Sequence, residues 1–323
     1  MIKELINRVL LSSPYIETAI RSFYWNNIDI ISRYAGLFRT TKKSTRNTKT
    51  ADKGNFNLLV AYLKEKGVKR DDILIIHSSF EELSGFEIEP IEIIEKLFKE
   101  LVPEGTLLMP AIRAFKEEGK GLDYLRNYIR DIVPENTKYD LKRTTVSSGI
   151  LPFYMMRHEN AVISEFPLNP LVAIGKDAKE IMHKNLSGDY PTAHGMNSAW
   201  QYCSDKDAWN IGLGVREKDY LTIFHVAQEG DQWPVKDWFF ERKFTIKNKK
   251  KEKDLIIKER RRKWTKFYAE LNFYNDLKEN DVMNAEVVEG ISVLMVKSKR
   301  LMNFMSSHEN PTYPYFIPKK YYK

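Results

Sequence analysis

Thr222, His225 and Glu229 stand at spacings that can build a proton-handling site. In the segment Thr222-Ile223-Phe224-His225-Val226-Ala227-Gln228-Glu229, side chains three and four residues apart share one face of a helix, so His225 and Glu229 can meet one turn beyond Thr222. A neutral imidazole is suited to take a proton near neutral pH, and a carboxylate can hold its tautomer and stabilise its charged form. Taken alone, such a pair is more often a solvated ion pair on a helix than a catalytic site. A second group is His77-Ser78-Ser79, whose competing reading is a core histidine followed by a helix N-cap. Cys203 is the only cysteine; it has no sequence-adjacent base and reads as packing rather than as a nucleophile. His194, in Thr192-Ala193-His194-Gly195, reads first as a loop histidine without a chemical role and second as a further site histidine.

These groups need a scaffold. Residues 57–68 read as a helix stopped at Gly67, residues 72–79 as a buried strand, residues 90–101 as an amphipathic helix, and residues 103–110 as a turn and a second strand. Strand, helix and strand at this spacing predict an α/β fold with a largely parallel mixed sheet flanked by helices. The C-terminal strand ends of such a sheet face the ligand crevice, which favours a role for His77, Ser78 and Ser79. Residues 147–152 open another helix, and residues 209–215 form a strand ending in glycines. The C-terminal portion alternates Lys/Glu-rich helix with a strand or turn over 285–296, before a final helix and an extended aromatic tail. Three parts follow: a helical N-terminal extension and basic linker over 1–53, an α/β domain over 54–308, and a tail over 309–323. In the extension Leu5, Ile6, Val9 and Leu10, then Ile16, Ile20, Phe23 and Tyr24, recur at helical spacing, and Pro14 divides them. Such helices pack on the chain's own body first; a homodimer contact or a peripheral position on a membrane through residues 1–38 are the alternatives.

Composition bounds the function. With 323 residues, 42% of them hydrophobic, the chain can bury a substantial core. A single cysteine excludes an intrachain disulfide and a Cys-based zinc site, which suits a reducing cytosol. No segment reaches the roughly 20 apolar residues of a membrane span, so a cytoplasmic protein is expected. The net charge of +8 is concentrated between Arg39 and Lys53 and between Arg242 and Lys263, the latter with Glu252, Asp254 and Glu259 interspersed. Charge runs are usually solvated faces. Without a zinc-finger spacing or an RNA-binding signature, nucleic acid is set aside in favour of a basic rim around an anionic ligand such as a phosphorylated cofactor.

Several segments in order then resemble the aminoglycoside 3-N-acetyltransferase, or antibiotic N-acetyltransferase, family. Ile75-Ile76-His77-Ser78-Ser79 is similar to its strand-end His-Ser-Ser, and Gly105-Thr106-Leu107-Leu108-Met109-Pro110 to its Gly-Thr-Leu-x-x-Pro strand. Gly149 to Pro152, Phe166-Pro167 and Ala173-Ile174-Gly175 match the spacing of its Gly-x-x-Pro helix and the Arg-Ser-x-His-Pro segment that follows. Gly195-Met196-Asn197-Ser198 resembles its Gly-x-x-Ser-Pro, and Gly214-Val215 leading to Thr222 and His225 resembles its Gly-Val to Thr-x-x-His-x-x-Glu. The likeness runs from about residue 55 to about 305. Three departures stand out: Ile163-Ser164-Glu165-Phe166-Pro167 lacks the family's arginine and histidine, Ala199 replaces the proline, and Gln228 replaces the family glutamate.

The resemblance implies transfer of an acetyl group from acetyl-coenzyme A, as cosubstrate, to a primary amine by direct attack, with no metal. It makes His225 the expected general base, helped by Thr222 and by Gln228 or Glu229, because an ammonium must lose a proton before it can attack a thioester. It makes the His77-Ser78-Ser79 strand end a cofactor contact and a source of oxyanion donors, with Ser148, Ser164 and Ser198 as further cofactor contacts by position. The expected acceptor is an amino sugar. A basic chain suits a sugar on a nucleotide or lipid diphosphate, as in surface polysaccharide synthesis, better than a polycationic aminoglycoside, which calls for an acidic groove. The rival reading, motivated by Gln228 and the lost Arg-x-x-His pair, is a non-catalytic descendant retained for binding or assembly.

Overall fold

The computed structural model describes residues 2–31 and 54–323; the basic cluster from Arg39 to Lys53 lies outside the described residues. Along the chain the strands are β1 (Ile73–Ser78), β2 (Thr106–Pro110), β3 (Arg113–Ala114), β4 (Thr137–Asp140), β5 (Thr145–Val146), β6 (Val162–Ile163), β7 (Leu171–Gly175), β8 (Trp209–Leu213), β9 (Phe239–Asn248), β10 (Lys251–Arg260), β11 (Asn284–Val288) and β12 (Ile291–Lys297). The main sheet is seven-stranded, in the order β11-β12-β8-β1-β2-β7-β6. It is mixed, as expected, but its parallel part is confined to β8, β1 and β2. The outer strands run antiparallel. Between β11 and β12 the reversal is a two-residue turn, Glu289-Gly290, with φ of 50° and 80°, the pairing of positive φ values that matches strand twist.

Both faces of β1 are covered, which is why it reads as a continuous apolar run. Leu74 and Ile76 join Leu59, Leu63 and Leu97 on one face, and Ile73 and Ile75 join Trp200, Phe273 and Leu294 on the other. The helix Phe56–Glu65 ends before Gly67, whose φ of 100° suits glycine. Gly105 is required by contact: a Cβ there would lie 2.1 Å from the Asp72 carbonyl oxygen.

The second sheet, β10-β9-β4, corrects the expectation of Lys/Glu-rich helix. In β9, Arg242, Phe244 and Ile246 are buried while Glu241 and Lys243 are exposed, a period of two that only a strand satisfies. Arg242 is tolerated inside because Glu118 and Glu259 each approach it to 2.9 Å.

The N-terminal helices Ile2–Leu11 and Pro14–Asn26 pack on the body through several contacts, among them the Arg21–Glu270 ion pair and the buried acid Glu17. The Glu17 carboxylate is buried and accepts from the backbone N–H groups of Leu271 and Asn272 at 2.9 and 3.1 Å and from Asn272 Nδ2 at 2.8 Å. Those are orphan donors in the first turn of the helix Glu270–Glu279, so Glu17 caps that helix from another part of the chain. The aromatic tail also belongs to the core: Tyr313, Tyr315 and Ile317 are buried. No helix among the described residues is long and apolar enough to cross a membrane.

Candidate active site

Because β1, β2 and β8 are parallel, their C-terminal ends open on one edge of the sheet, where a crevice is expected. Two cavities lie there, of about 530 and 300 Å³, and Thr222 and Ile112 line both. His77, Ser78, Ser79, Ser148 and Gly149 line the larger one. Asn169, His194, His225, Glu229 and Arg260 line the smaller.

His225 closes a short 3-10 helix, Thr222–His225, that runs into the helix Val226–Glu229. Leu221, just before it, is buried with φ of 75°, backbone strain of the kind that persists where a site demands it. The tight start of this segment brings Gln228, three residues on, under His225 and turns Glu229 away. His225 Nδ1 lies 2.8 Å from Gln228 Oε1 and 2.8 Å from Arg260 Nη1. Burial, then the charges of Arg260 and His194, hold the His225 imidazole well below its ordinary value, so it is neutral.

Glu229 instead meets His194, which corrects the expected His225–Glu229 pairing and brings His194 to the crevice. Glu229 Oε1 is 2.9 Å from His194 Nδ1, and Oε2 accepts the His194 backbone N–H at 2.8 Å. Burial pushes the Glu229 carboxyl up, but the charge of His194 and hydrogen bonds from His194 and Thr192 outweigh it and hold the group below its ordinary value. Asn169, with φ of 45°, brings its side-chain amide to 3.2 Å from His194 Nε2. The two imidazole rings are 5.1 Å apart. The arrangement is a carboxylate-oriented imidazole beside one that burial and the Arg260 guanidinium keep neutral.

The other expected residues divide. Burial pushes the His77 imidazole down to about 4; its ring packs against Trp200 and Tyr220, and its buried Nε2 has no hydrogen-bond partner. Ser79 makes no side-chain cap bond, whereas its backbone N–H donates to Leu213 O at 3.0 Å and is not available to an oxyanion. Ser148 Oγ donates to Pro110 O at 2.6 Å and accepts from Ile112 N at 3.0 Å, tying the end of β2 to the crevice wall. Ser164 and Ser198 are placed elsewhere: both are buried, line neither cavity, and spend their hydroxyls locally. Ser164 Oγ accepts from Phe166 N and Asn185 Nδ2, and Ser198 Oγ caps the helix Ala199–Asp205 through Gln201 N. Cys203 is fully buried, and burial pushes its thiol far up, so it packs and does not react. No group of three or more His, Cys, Asp or Glu among the described residues could hold a metal ion.

Residues 75–308 match the family model for aminoglycoside 3-N-acetyltransferase. The chain belongs to the aminoglycoside 3-N-acetyltransferase family. It is therefore an acyltransferase, with acetyl-coenzyme A as its cosubstrate. Solved structures of similar fold include AAC(3)-Xa, 17% identical with a TM-score of 0.61, over 77% of this acetyltransferase and 90% of that chain. The AAC-IIIb binary complex with CoASH is 18% identical at 0.59, over 76% and 92%. The AAC(3)-IVa apoenzyme is 20% identical at 0.58, over 81% and 91%. No curated protein sequence matches this chain.

Against the family pattern, Phe166 of this acetyltransferase is buried with Phe115 and Tyr139, so no imidazole stands at that position, while His194 reaches the crevice from a different loop. For coenzyme A the larger cavity offers a strand-end crevice of about 530 Å³ with serine and glycine walls and an unpartnered buried imidazole nitrogen, while its lining carries Glu81 and Asp219 and, among the described residues, no lysine or arginine to meet the phosphates. Ser78, Ser79 and Gly149 are the residues that would hold it, and it would supply the acetyl thioester.

Proposed function

We propose that this protein acetylates a primary amine of an amino sugar, aminoglycoside-like or carried on a nucleotide or lipid diphosphate, with His194 as general base. The observation that carries this reading is the buried His194–Glu229 pair in a cavity that shares Thr222 and Ile112 with the crevice beneath the strand ends. Glu229 holds the proton of His194 on Nδ1 and leaves Nε2 as the acceptor, which receives the Asn169 amide N–H at 3.2 Å until the incoming amine takes that donor's place. The amine enters as an ammonium, Nε2 takes one proton, and its nitrogen attacks the thioester carbonyl; the N–C bond forms, the C–S bond breaks, and the second proton lost from nitrogen passes to the thiolate, which leaves as the thiol. His225, kept neutral by burial and by Arg260, can donate or accept a hydrogen bond but is a poor base, since both oppose its protonation. In this reading His194 stands in for the lost family imidazole, one of the grounds for a non-catalytic descendant beside Gln228.

The test is acetyl-coenzyme A binding by calorimetry together with thiol release over an amine panel. Acetyl-coenzyme A binding kept in both variants, with turnover abolished in His194→Ala but largely kept in His225→Asn, supports the assignment. No binding of acetyl-coenzyme A sinks the acyltransferase reading, and turnover that survives in His194→Ala sinks the base.

A further inference from the structure

The smaller cavity has a charge character set by which of its ions are already paired. Its three carboxylates are all engaged. Glu229 is paired with His194; Glu118 meets Arg242 at 2.9 Å and Arg262 at 3.2 Å; Glu259 meets the same two arginines at 2.9 and 2.6 Å. Three cations on the same walls, Arg113, Lys258 and Arg260, have no ion-pair partner among the described residues. Arg260 Nη1 donates to the Tyr315 hydroxyl at 2.6 Å and, among the described residues, otherwise hydrogen-bonds only with His225 and Gln228, while the Glu229 carboxylate acts on it through space. Arg113 donates to the main-chain oxygens of Thr144 and Leu141 at 2.9 and 3.1 Å, and its buried Nε has no partner. The Lys258 ammonium lies 5.3 Å from the centre of the Tyr190 ring.

A partly buried guanidinium whose hydrogen bonds all go to neutral partners has lost water without gaining an anion in contact. An incoming phosphate or carboxylate restores that loss through charge-assisted hydrogen bonds, whereas a polycation meets like charge. Resting on the acetyltransferase reading above, we propose that the acceptor amine belongs to an anionic sugar, whose phosphate or carboxylate is received by Arg260 and Lys258 while its amino group faces His194. The geometry agrees, since Arg260 touches His225 and the two imidazoles lie 5.1 Å apart, within the breadth of one sugar ring.

The experiment compares thiol release from acetyl-coenzyme A with glucosamine, glucosamine 6-phosphate, muramic acid and kanamycin at low salt. The expected kcat/KM for the phosphate or the carboxylate sugar exceeds that for glucosamine by about tenfold or more, from one charge-assisted contact. Kanamycin falls below glucosamine. The two anionic arms distinguish a phosphate site from a carboxylate site. In Lys258→Met, and separately in Arg260→Met, the ratio of anionic to neutral sugar moves toward one, a readout that general damage does not move; if Arg260→Met fails to fold by circular dichroism, Lys258→Met decides. Kanamycin turned over faster than both anionic sugars overturns the proposal and leaves the acetyltransferase reading intact. Should no amine release thiol, calorimetry with glucosamine 6-phosphate and muramic acid still decides: binding of either that Lys258→Met weakens supports the anion site, and no binding of both overturns it.

Discussion

Replacing Glu229 by glutamine tests the proposed base through hydrogen-bond bookkeeping. The carboxylate accepts from two donors of one residue, the His194 backbone N–H at 2.8 Å and Nδ1–H at 2.9 Å. A glutamine has a single acceptor oxygen. If that oxygen keeps the backbone N–H, its NH₂ faces Nδ1, and the imidazole must move its proton to Nε2, the nitrogen assigned to take the substrate's proton. If it keeps Nδ1–H, the backbone N–H confronts a second donor and is left unsatisfied at a cost of about 1–3 kcal/mol. In either case the developing imidazolium loses its only carboxylate partner. General-base catalysis contributes about 10² to 10⁴-fold, so kcat/KM should fall about 10² to 10³-fold, equal to roughly 3–4 kcal/mol at 1.36 kcal/mol per decade. Acetyl-coenzyme A affinity should hold, because Glu229 does not line the larger cavity. The assay is continuous thiol release at saturating acetyl-coenzyme A, with calorimetry for the cosubstrate. A fall of less than about fivefold in a folded Glu229→Gln protein, against the factor a general base supplies, refutes the assignment.

Three further outcomes follow from buried charges. Glu17→Ala removes the acceptor of the Leu271 and Asn272 N–H groups and should cost about 2–4 kcal/mol, read by thermal unfolding; an unchanged Tm means the extension is not part of the folded unit. His77 is neutral in the folded chain down to about 4, whereas in the unfolded chain it protonates near 6.5, so between those values the unfolded state binds more protons and stability drops as pH falls. That group alone should cost about 3 kcal/mol across the window, and His77→Phe should remove this slope in denaturation curves at pH 7 and 4.5; parallel losses in both proteins would contradict it. Arg242→Met leaves Glu118 and Glu259 facing one another with Arg262 alone and should destabilise by about 3–5 kcal/mol, visible as a lower denaturant midpoint; an unchanged midpoint would mean the cluster adds nothing.

What the sequence made legible and what it hid follow the range of the interactions. The run through Ile73, Leu74, Ile75 and Ile76 into His77-Ser78-Ser79 is local, so the strand, its burial on both faces and its place at the crevice could be read from residue type alone. The helix stop at Gly67 and the turn before Thr106 are local in the same way. His194 and Glu229 are 35 residues apart, and no periodicity links a loop histidine to a particular carboxylate. The mistaken partner of His225 has a narrower cause: a helical wheel places residue 229 on its face, but a segment that begins as a 3-10 turn selects residue 228. In the charged hairpin the signal was present in the alternation of Arg242, Phe244 and Ile246, and it was obscured because an arginine reads as surface unless its counter-ions are known. Glu118 and Glu259 reach it from another loop and another strand. Once that cluster has absorbed its carboxylates, the neighbouring Arg260 and Lys258 are left facing the crevice without an ion-pair partner among the described residues. The excess of basic residues that read as a solvated rim thus becomes a statement about which acceptor the site can receive.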